Sequence, residues 1–96
     1  MYLKTYKNGE HFLVAACDRE VLGKNLKHGK ATVEISRAFY EGEEVSEAEL
    51  QKALEKATTV NLFGEKTINC AIKCGFIDPD SVIMISGVPH AQVFRV

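Results

Sequence analysis

The chain has 96 residues, of which 46% are hydrophobic and 26% are charged, and its net charge is −1. These values are typical of one globular domain, here residues 1–96. No apolar run approaches the roughly 20 residues that cross a bilayer, the start of the chain lacks a signal-peptide core, and an odd number of cysteines argues against a disulfide framework. We therefore expect a cytoplasmic protein that makes no contact with a membrane.

The first third of the chain predicts three strands. Residues 2–6 alternate in side-chain character along the chain and are rich in β-prone side chains, which predicts a strand. The Asn-Gly pair at positions 8 and 9 is a strong hairpin signal. Residues 11–17 form a near-continuous apolar run, which is typical of a central strand covered on both faces. Asp18 is then expected to cap a short helical turn. Residues 31–36 alternate between apolar and polar side chains, which is typical of a strand with one solvent-exposed face.

Two helices and a strand follow. Ser46 and Glu49 have the spacing of a capping box, in which each side chain satisfies a backbone amide at a helix start. Apolar residues recur after them at helical spacing, so a first helix begins here. Residues 58–63 are β-prone and predict a short strand, and the alternative is that the first helix continues through them. Residues 64–74 predict a second helix, which Gly75 ends.

The last part of the chain predicts a turn and two strands. Asp78 and Pro79 suit the start of a single helical turn. Residues 82–85 predict a buried strand, and residues 91–96 predict a final strand after a turn at residues 86–89. The expected fold class is α+β, a two-layer sandwich. Its mixed, largely antiparallel sheet of five to six short strands would carry two main helices on one face.

A basic loop is the first candidate site. Residues 1–40 carry a net charge of +3 and residues 41–96 a net charge of −4. Four basic or potentially basic side chains lie close together in the first of these regions, namely Lys24, Lys27, His28 and Lys30. Such side chains bind phosphates, so the loop predicts contact with RNA or a ribonucleoprotein. The alternative is an ordinary solvated loop.

His90 is the second candidate and the one candidate for a catalytic role. It lies in the peptide of residues 87–92, where Pro89 restricts the backbone and Gly87 permits a positive φ. Such a turn holds the imidazole in a defined place, and a side chain that titrates near neutrality suits acid–base work, metal binding or phosphate contact. The alternative is a tight hairpin in which His90 and Gln92 satisfy backbone groups.

The third candidate is the stretch of residues 61–65, where the predicted strand passes into the second helix. It contains Asn61, Gly64 and Glu65. A helix N-terminus exposes backbone amides that attract anions, and Asn61 is expected to bond the loop backbone. The glycine spacing does not match a Walker-type phosphate loop, so an ordinary helix start is favoured. A ligand site would join these residues to the peptide at residues 87–92.

A zinc site is the fourth possibility. Cys70 and Cys74 are one helical turn apart and, with Cys17 and a histidine, would make a set of four ligands. Their spacing matches no standard zinc pattern, and both lie on the apolar arc of the second helix, where a free cysteine behaves as a small hydrophobe. We therefore predict that both belong to the core, and we expect neither a metal nor a cofactor.

Several peptides of the chain resemble those of one known family. They are Asn61-Leu62-Phe63-Gly64-Glu65, Asp78-Pro79 and Gly87-Val88-Pro89-His90-Ala91-Gln92, with further similarity at residues 13–18 and 22–24. In these peptides the chain resembles an archaeal family of short proteins known as domain of unknown function 424, over nearly its whole length. The resemblance implies an archaeal source, a cytoplasmic protein and a two-layer α/β sandwich. It implies neither an activity nor a metal site.

Three functions follow from these features, in order of preference. The first is a small cytoplasmic module that binds RNA or a translation-related assembly, and a convex basic surface around residues 24–30 would favour it. The second is a small-ligand-binding protein or enzyme that uses His90. A concave pocket that joins the loops at residues 61–65 and 87–92 would favour this one. The third is a structural subunit, which an exposed apolar patch would favour.

Overall fold

The computed structural model describes residues 1–94, which form eight strands and three α-helices. The strands are β1 (Tyr2–Asn8), β2 (His11–Cys17), β3 (Asn25–His28), β4 (Ala31–Glu34), β5 (Glu43–Glu44), β6 (Thr59–Phe63), β7 (Ile83–Ile85) and β8 (Val88–Phe94). The helices are α1 (Arg37–Tyr40), α2 (Glu47–Lys56) and α3 (Glu65–Lys73). The predicted final strand at residues 91–96 corresponds to β8, and residues 95 and 96 lie outside the described part.

Six of the strands form one mixed sheet in the order β5-β1-β2-β6-β8-β7. Neighbouring strands are antiparallel except β2 and β6, which run parallel. Parallel neighbours require a long connection, and here that connection contains α1, α2 and three short strands. The remaining pair, β3 and β4, forms a separate antiparallel hairpin. The predicted α+β class, with a mixed and largely antiparallel sheet and two main helices, is confirmed.

The helices α2 and α3 cover one face of the sheet. Leu50 and Leu54 of α2 and Ile68 of α3 pack into one cluster with Val14 and Leu62 of the central strands. Each of these side chains is at most 3% exposed. Burying a side chain of this size contributes about 1.5–3 kcal/mol relative to leaving it in water, so this layer holds the larger part of the core.

The start of α2 and the end of α3 follow the local signals that predict them. The Ser46 hydroxyl accepts a hydrogen bond from the Glu49 amide, and the Glu49 carboxylate accepts one from the Ser46 amide. Gly75 follows α3 with a φ of +75°, a left-handed conformation that glycine adopts without a steric cost. Within residues 1–94, no helix combines the length and the hydrophobicity that a membrane span requires.

The opposite face of the sheet is covered only in part, by α1 and by the hairpin of β3 and β4, and we name it the hairpin face. Leu26 of β3 is buried in one cluster with Cys17 and Phe63 of the sheet. The prediction of a loop at residues 24–30 is therefore wrong, because most of this stretch is β3. One apolar residue among several charged ones is too weak a pattern to predict a strand from sequence.

Ring contacts run across the hairpin face from β1 to β8. Tyr6 stacks on Phe39 of α1 with ring centroids 5.1 Å apart, and Phe39 meets Tyr40 edge-on at 5.0 Å. Tyr40 meets Phe63 of β6 at 5.7 Å, and Phe63 stacks on His90 of β8 at 4.0 Å. These contacts pack α1 against the sheet and fix the position of the His90 imidazole on β8.

The strand predicted to be buried at residues 82–85 is instead an exposed edge. It forms β7, the last strand of the sheet, where Ile83 is 48% and Met84 is 59% exposed. Ile85 alone among the three residues of β7 is buried, in the cluster that includes the hairpin. An apolar run predicts a strand, but the sequence carries no local signal for a position at the edge of the sheet.

Asp18 connects the sheet to α3. It follows β2 and is 2% exposed, and its carboxylate accepts hydrogen bonds from the Lys66 amide at 2.9 Å and from the Thr67 amide and hydroxyl at 2.8 Å each. Its side chain makes no bond to the turn at Arg19–Val21, so the predicted cap of that turn is wrong. Gly64 passes so close to Asp18 that a Cβ atom there would overlap the carboxylate.

We expect Asp18→Ala to lower the free energy of unfolding by about 2–4 kcal/mol, because it removes the cap of α3 and leaves buried donors without an acceptor. Ser46→Ala, which removes the exposed cap of α2, is the matched control and should cost about 1 kcal/mol. Urea unfolding followed by circular dichroism measures both values. Equal reductions in the two variants would contradict the connecting role of Asp18.

Candidate functional site

The hairpin face carries a row of side chains that α1 and the hairpin leave partly uncovered. Residues directly opposite one another in antiparallel strands point to the same side of a sheet. The register places Asn61 of β6 opposite Gln92 of β8, and Ile83 of β7 opposite His90. Phe94 follows Gln92 by two positions and therefore shares its side. We name this set the open strip, and it comprises Asn61, Ile83, His90, Gln92 and Phe94.

His90 is held as a neutral imidazole. Its Nδ1 lies 2.9 Å from the Leu62 carbonyl oxygen, and because that oxygen only accepts, Nδ1 carries a proton. The ring also stacks on Phe63. Burial lowers the pKa of His90, the bond to Leu62 acts in the opposite direction, and the nearby His28 lowers the pKa further. Near neutral pH, therefore, His90 offers Nε2 as a hydrogen-bond acceptor.

The basic hairpin stands beside the open strip. Lys24, Lys27, His28 and Lys30 are exposed, and the three lysines form no ion pair within residues 1–94. The Ser86 hydroxyl donates a 2.6 Å hydrogen bond to the Lys27 carbonyl oxygen, which ties β3 to the turn between β7 and β8. The structure thus brings the basic residues and His90, which the sequence presents as separate candidates, to the same face of the sheet.

The stretches at residues 61–65 and 87–92, predicted as loops, contain the end of β6 and the start of β8, and they meet at a different place. The Gly64 amide donates a 2.8 Å hydrogen bond to the Pro89 carbonyl oxygen and holds the two loops together. Beside this bond is a depression of about 150 Å³, lined by Asp18, Glu20, Val21, Gly64, Glu65, Gly87, Val88 and Pro89. Asn61, His90 and Gln92 do not line it. The predicted ligand-binding set is therefore divided between this acidic depression and the open strip.

The helix N-terminus at this depression already has an anionic partner. The amides of Lys66 and Thr67, which would receive a ligand anion, donate to the carboxylate of Asp18. The predicted exposure of amides at this helix start is therefore wrong for these two groups. Ligand binding by Gly64 and Glu65 stays a prediction, and it would have to use other groups of the loop.

The three cysteines are all free, and they occupy different environments. Cys17 is fully buried, and burial raises the pKa of its thiol to about 12. Cys70 is buried as predicted, and its Sγ lies 3.6 Å from the Glu47 carbonyl oxygen. The core prediction is wrong for Cys74, which is exposed where α3 ends and its packing stops. Among residues 1–94, no group of three or more potential ligands is placed to hold a metal.

Two larger depressions lie in the helix layer. One of about 510 Å³ is lined by Met1, Glu47, Lys66, Asn69, Ile72 and Lys73. The other, of about 320 Å³, is lined by Gln51, Leu54, Glu55, Cys74, Gly75 and Phe76. Neither contains a residue of the predicted ligand-binding or nucleic-acid-binding sets.

Two members of the open strip, Ile83 and Phe94, were not among the predicted site residues. Phe94 is 62% exposed at the end of β8. Inward and outward residues alternate along this strand, with Ala91 buried and Gln92 exposed. This alternation is visible in the sequence, and it would have placed an aromatic ring on the same side as Gln92.

Comparison with known proteins identifies the family of the chain. The family model described as Protein of unknown function (DUF424) matches residues 6–96, so the chain belongs to this family. Among solved structures, the chain is similar to an uncharacterized conserved protein from Methanopyrus kandleri, with 25% sequence identity and a TM-score of 0.83. The match covers 97% of this chain and 89% of that one. No curated protein matches the chain.

The position of His90 predicts a pH-dependent stability. Because its pKa in the folded protein lies below the ordinary value of 6.5, the unfolded chain takes up the proton first, and stability falls as the pH drops below that value. His90→Gln should reduce this fall, which begins as the pH approaches about 6.5, where the unfolded histidine takes up its proton, and continues to lower pH until the folded histidine is protonated. Urea unfolding at several pH values measures this pH dependence of the free energy of unfolding. His11→Gln, at an exposed position, is the control. An unchanged pH dependence in His90→Gln would contradict the assignment.

Proposed function

We propose that the protein binds single-stranded RNA through its hairpin face, as a small module of a translation-related assembly. The observation that carries this proposal is the position of the basic hairpin beside the open strip. The hairpin supplies positive charge for the phosphate backbone, and the open strip supplies an aromatic ring and amide groups for the bases. Phosphate contacts position a nucleic acid, whereas base contacts distinguish one sequence from another.

Three lysines of the hairpin supply the attraction for phosphates. Lys24, Lys27 and Lys30 are exposed, and no carboxylate within residues 1–94 pairs with them. By contrast, the Arg37 guanidinium lies 3.4 Å from the Glu41 carboxylate. Each phosphate that a lysine neutralises releases condensed counterions, which favours binding at low salt. The three free lysines are therefore the part of the surface best suited to a polyanion.

The open strip supplies groups that contact bases. Proteins that bind single-stranded RNA on a sheet stack the bases on exposed aromatic rings, and Phe94 is 62% exposed. The side chains of Asn61 and Gln92 each carry an amide, with both a donor and an acceptor for base edges. His90 adds the Nε2 acceptor beside them. This combination favours a single strand, since a duplex hides its base edges from a flat sheet.

The second function, a small-ligand-binding protein or enzyme that uses His90, has less support. The depression that joins the two loops measures about 150 Å³, below the roughly 300–1,000 Å³ of typical ligand pockets. Its ionisable lining groups are Asp18, Glu20 and Glu65, and His90 is not among them. Within residues 1–94, no carboxylate bonds to His90 to form a catalytic pair.

The cytoplasmic location and the archaeal source belong to this proposal as well. The three cysteines are free, and a reducing compartment keeps thiols in that form. The solved relative comes from Methanopyrus kandleri. Both observations agree with the expectation that the sequence raised, and fractionation of the native host with an antibody against the protein tests the location.

Binding of a labelled oligouridine, followed by fluorescence anisotropy across a salt series, tests the lysines. In a variant with Lys24, Lys27 and Lys30 changed to alanine, the slope of log affinity against log salt should become shallower by about 0.7 for each phosphate that the protein no longer neutralises. The matched control changes Lys52, Lys56 and Lys73 on the helix side to alanine, with the same change of charge. Equal weakening in both variants, or no binding by the unaltered protein, would overturn the proposal.

Phe94 should act independently of the lysines. We expect Phe94→Ala to weaken oligouridine binding by about 1–3 kcal/mol, the typical contribution of one stacked base, with an unchanged salt slope. Phe94→Tyr keeps the ring and should bind like the unaltered protein. If Phe94→Ala binds as tightly as Phe94→Tyr, the base-contacting role of the open strip is wrong.

A further inference from the structure

The open edge of the sheet at β7 has the features of an interface. No strand within residues 1–94 pairs with its outer side. Its two exposed residues are apolar and large, with Ile83 48% and Met84 59% exposed. Natural proteins protect such edges with charged residues, proline or a covering element, because unpaired strands pair with other chains. The three residues of β7 include no charge and no proline.

The backbone groups of Met84 point away from the sheet. Met84 lies opposite Pro89 in the register of β7 and β8. Pro89 has no amide hydrogen, and its carbonyl oxygen accepts from Gly64 on the far side of β8. Pro89 therefore offers Met84 neither a donor nor an acceptor. In an antiparallel ladder, a residue that does not bond one neighbour directs its N–H and C=O to the other side, here the open edge.

We propose that a second copy of this chain occupies this edge, with β7 paired antiparallel to β7 about a two-fold axis at Met84. In this arrangement the two Met84 residues are directly opposed and exchange both N–H···O bonds, as a hydrogen-bonded pair does. Ile83 of one copy lies opposite Ile85 of the other, so the sequence Ile-Met-Ile is its own complement. Two-fold dimers are the commonest protein oligomers, and they require such self-complementary surfaces.

Charge also favours this arrangement. Asp78 and Asp80 lie in the turn just before β7. At the other end of β7, Ser86 holds the basic hairpin through its bond to Lys27. Antiparallel pairing brings the acidic end of each copy next to the basic end of the other.

The dimer goes beyond the proposed RNA binding and does not depend on it. A two-fold axis perpendicular to the sheet keeps the hairpin faces of both copies on the same side. The two main sheets then form one continuous sheet. Since RNA is not needed for this pairing, the purified protein alone is sufficient to test it.

Sedimentation velocity over a concentration series tests the dimer. The unaltered protein should shift from monomer to dimer as its concentration rises. Met84→Lys, which places a charge on the edge, and Met84→Pro, which removes the outward donor, should stay monomeric with unchanged circular dichroism. Asn69→Lys is the control, because it adds the same charge at an exposed position on α3, away from the edge, and should still dimerise. A monomer at every concentration, or dimers of both Met84 variants, would overturn the proposal.

Disulfide trapping tests the register. In a Cys74→Ser background, which removes the exposed thiol, Met84→Cys should form a disulfide-linked dimer on oxidation because the two positions face each other. Ser81→Cys in the same background should form no disulfide-linked dimer, because the register places residue 81 opposite Gly87 of the other copy. Asp80→Lys should weaken the dimer, and Lys27→Glu in the same chain should restore it. Trapping of Ser81→Cys in preference to Met84→Cys would overturn the two-fold axis at Met84.

Discussion

The carboxylate of Asp18 at the start of α3 is the interaction that joins the other parts of the architecture. Burying a charge is unfavourable unless it is well bonded, and here two amides and a hydroxyl donate to it at the positive end of a helix dipole. The cap requires Gly64, where a Cβ atom would overlap Asp18. Gly64 also bonds Pro89, so one local arrangement joins β2, α3 and β8 and thereby positions His90.

The two faces of the sheet are covered in different ways, and this difference decides where function is expected. The helices α2 and α3 close one face with aliphatic side chains. On the other face, the small hairpin and α1 close only the part around Cys17, Tyr40 and Phe63. Polar and aromatic side chains of β6 and β8 remain accessible next to the hairpin. Because Asp18 occupies the amides at the start of α3, the hairpin face is the more suitable surface for an anionic partner.

Local signals predicted much of the fold. Most strands were visible as alternation or as apolar runs, and the capping box at Ser46 and the glycine stop at Gly75 predicted two helix ends correctly. Each of these signals depends on residues within one turn or one strand, where side-chain period and backbone preference decide the conformation. The resemblance of the motifs at residues 61–65 and 87–92 also identified the family.

The elements, the fold class and the candidate residues could thus be predicted from the amino-acid sequence. Their arrangement became visible only in three dimensions: Asp18 caps a helix 48 positions away, β7 is an edge, and the basic residues form a hairpin beside His90. These relations depend on pairs of residues distant in sequence, which local patterns do not record. An apolar run looks the same in the sequence of a central strand and of an edge strand. Likewise, the residues next to a carboxylate do not indicate which distant group it will bond.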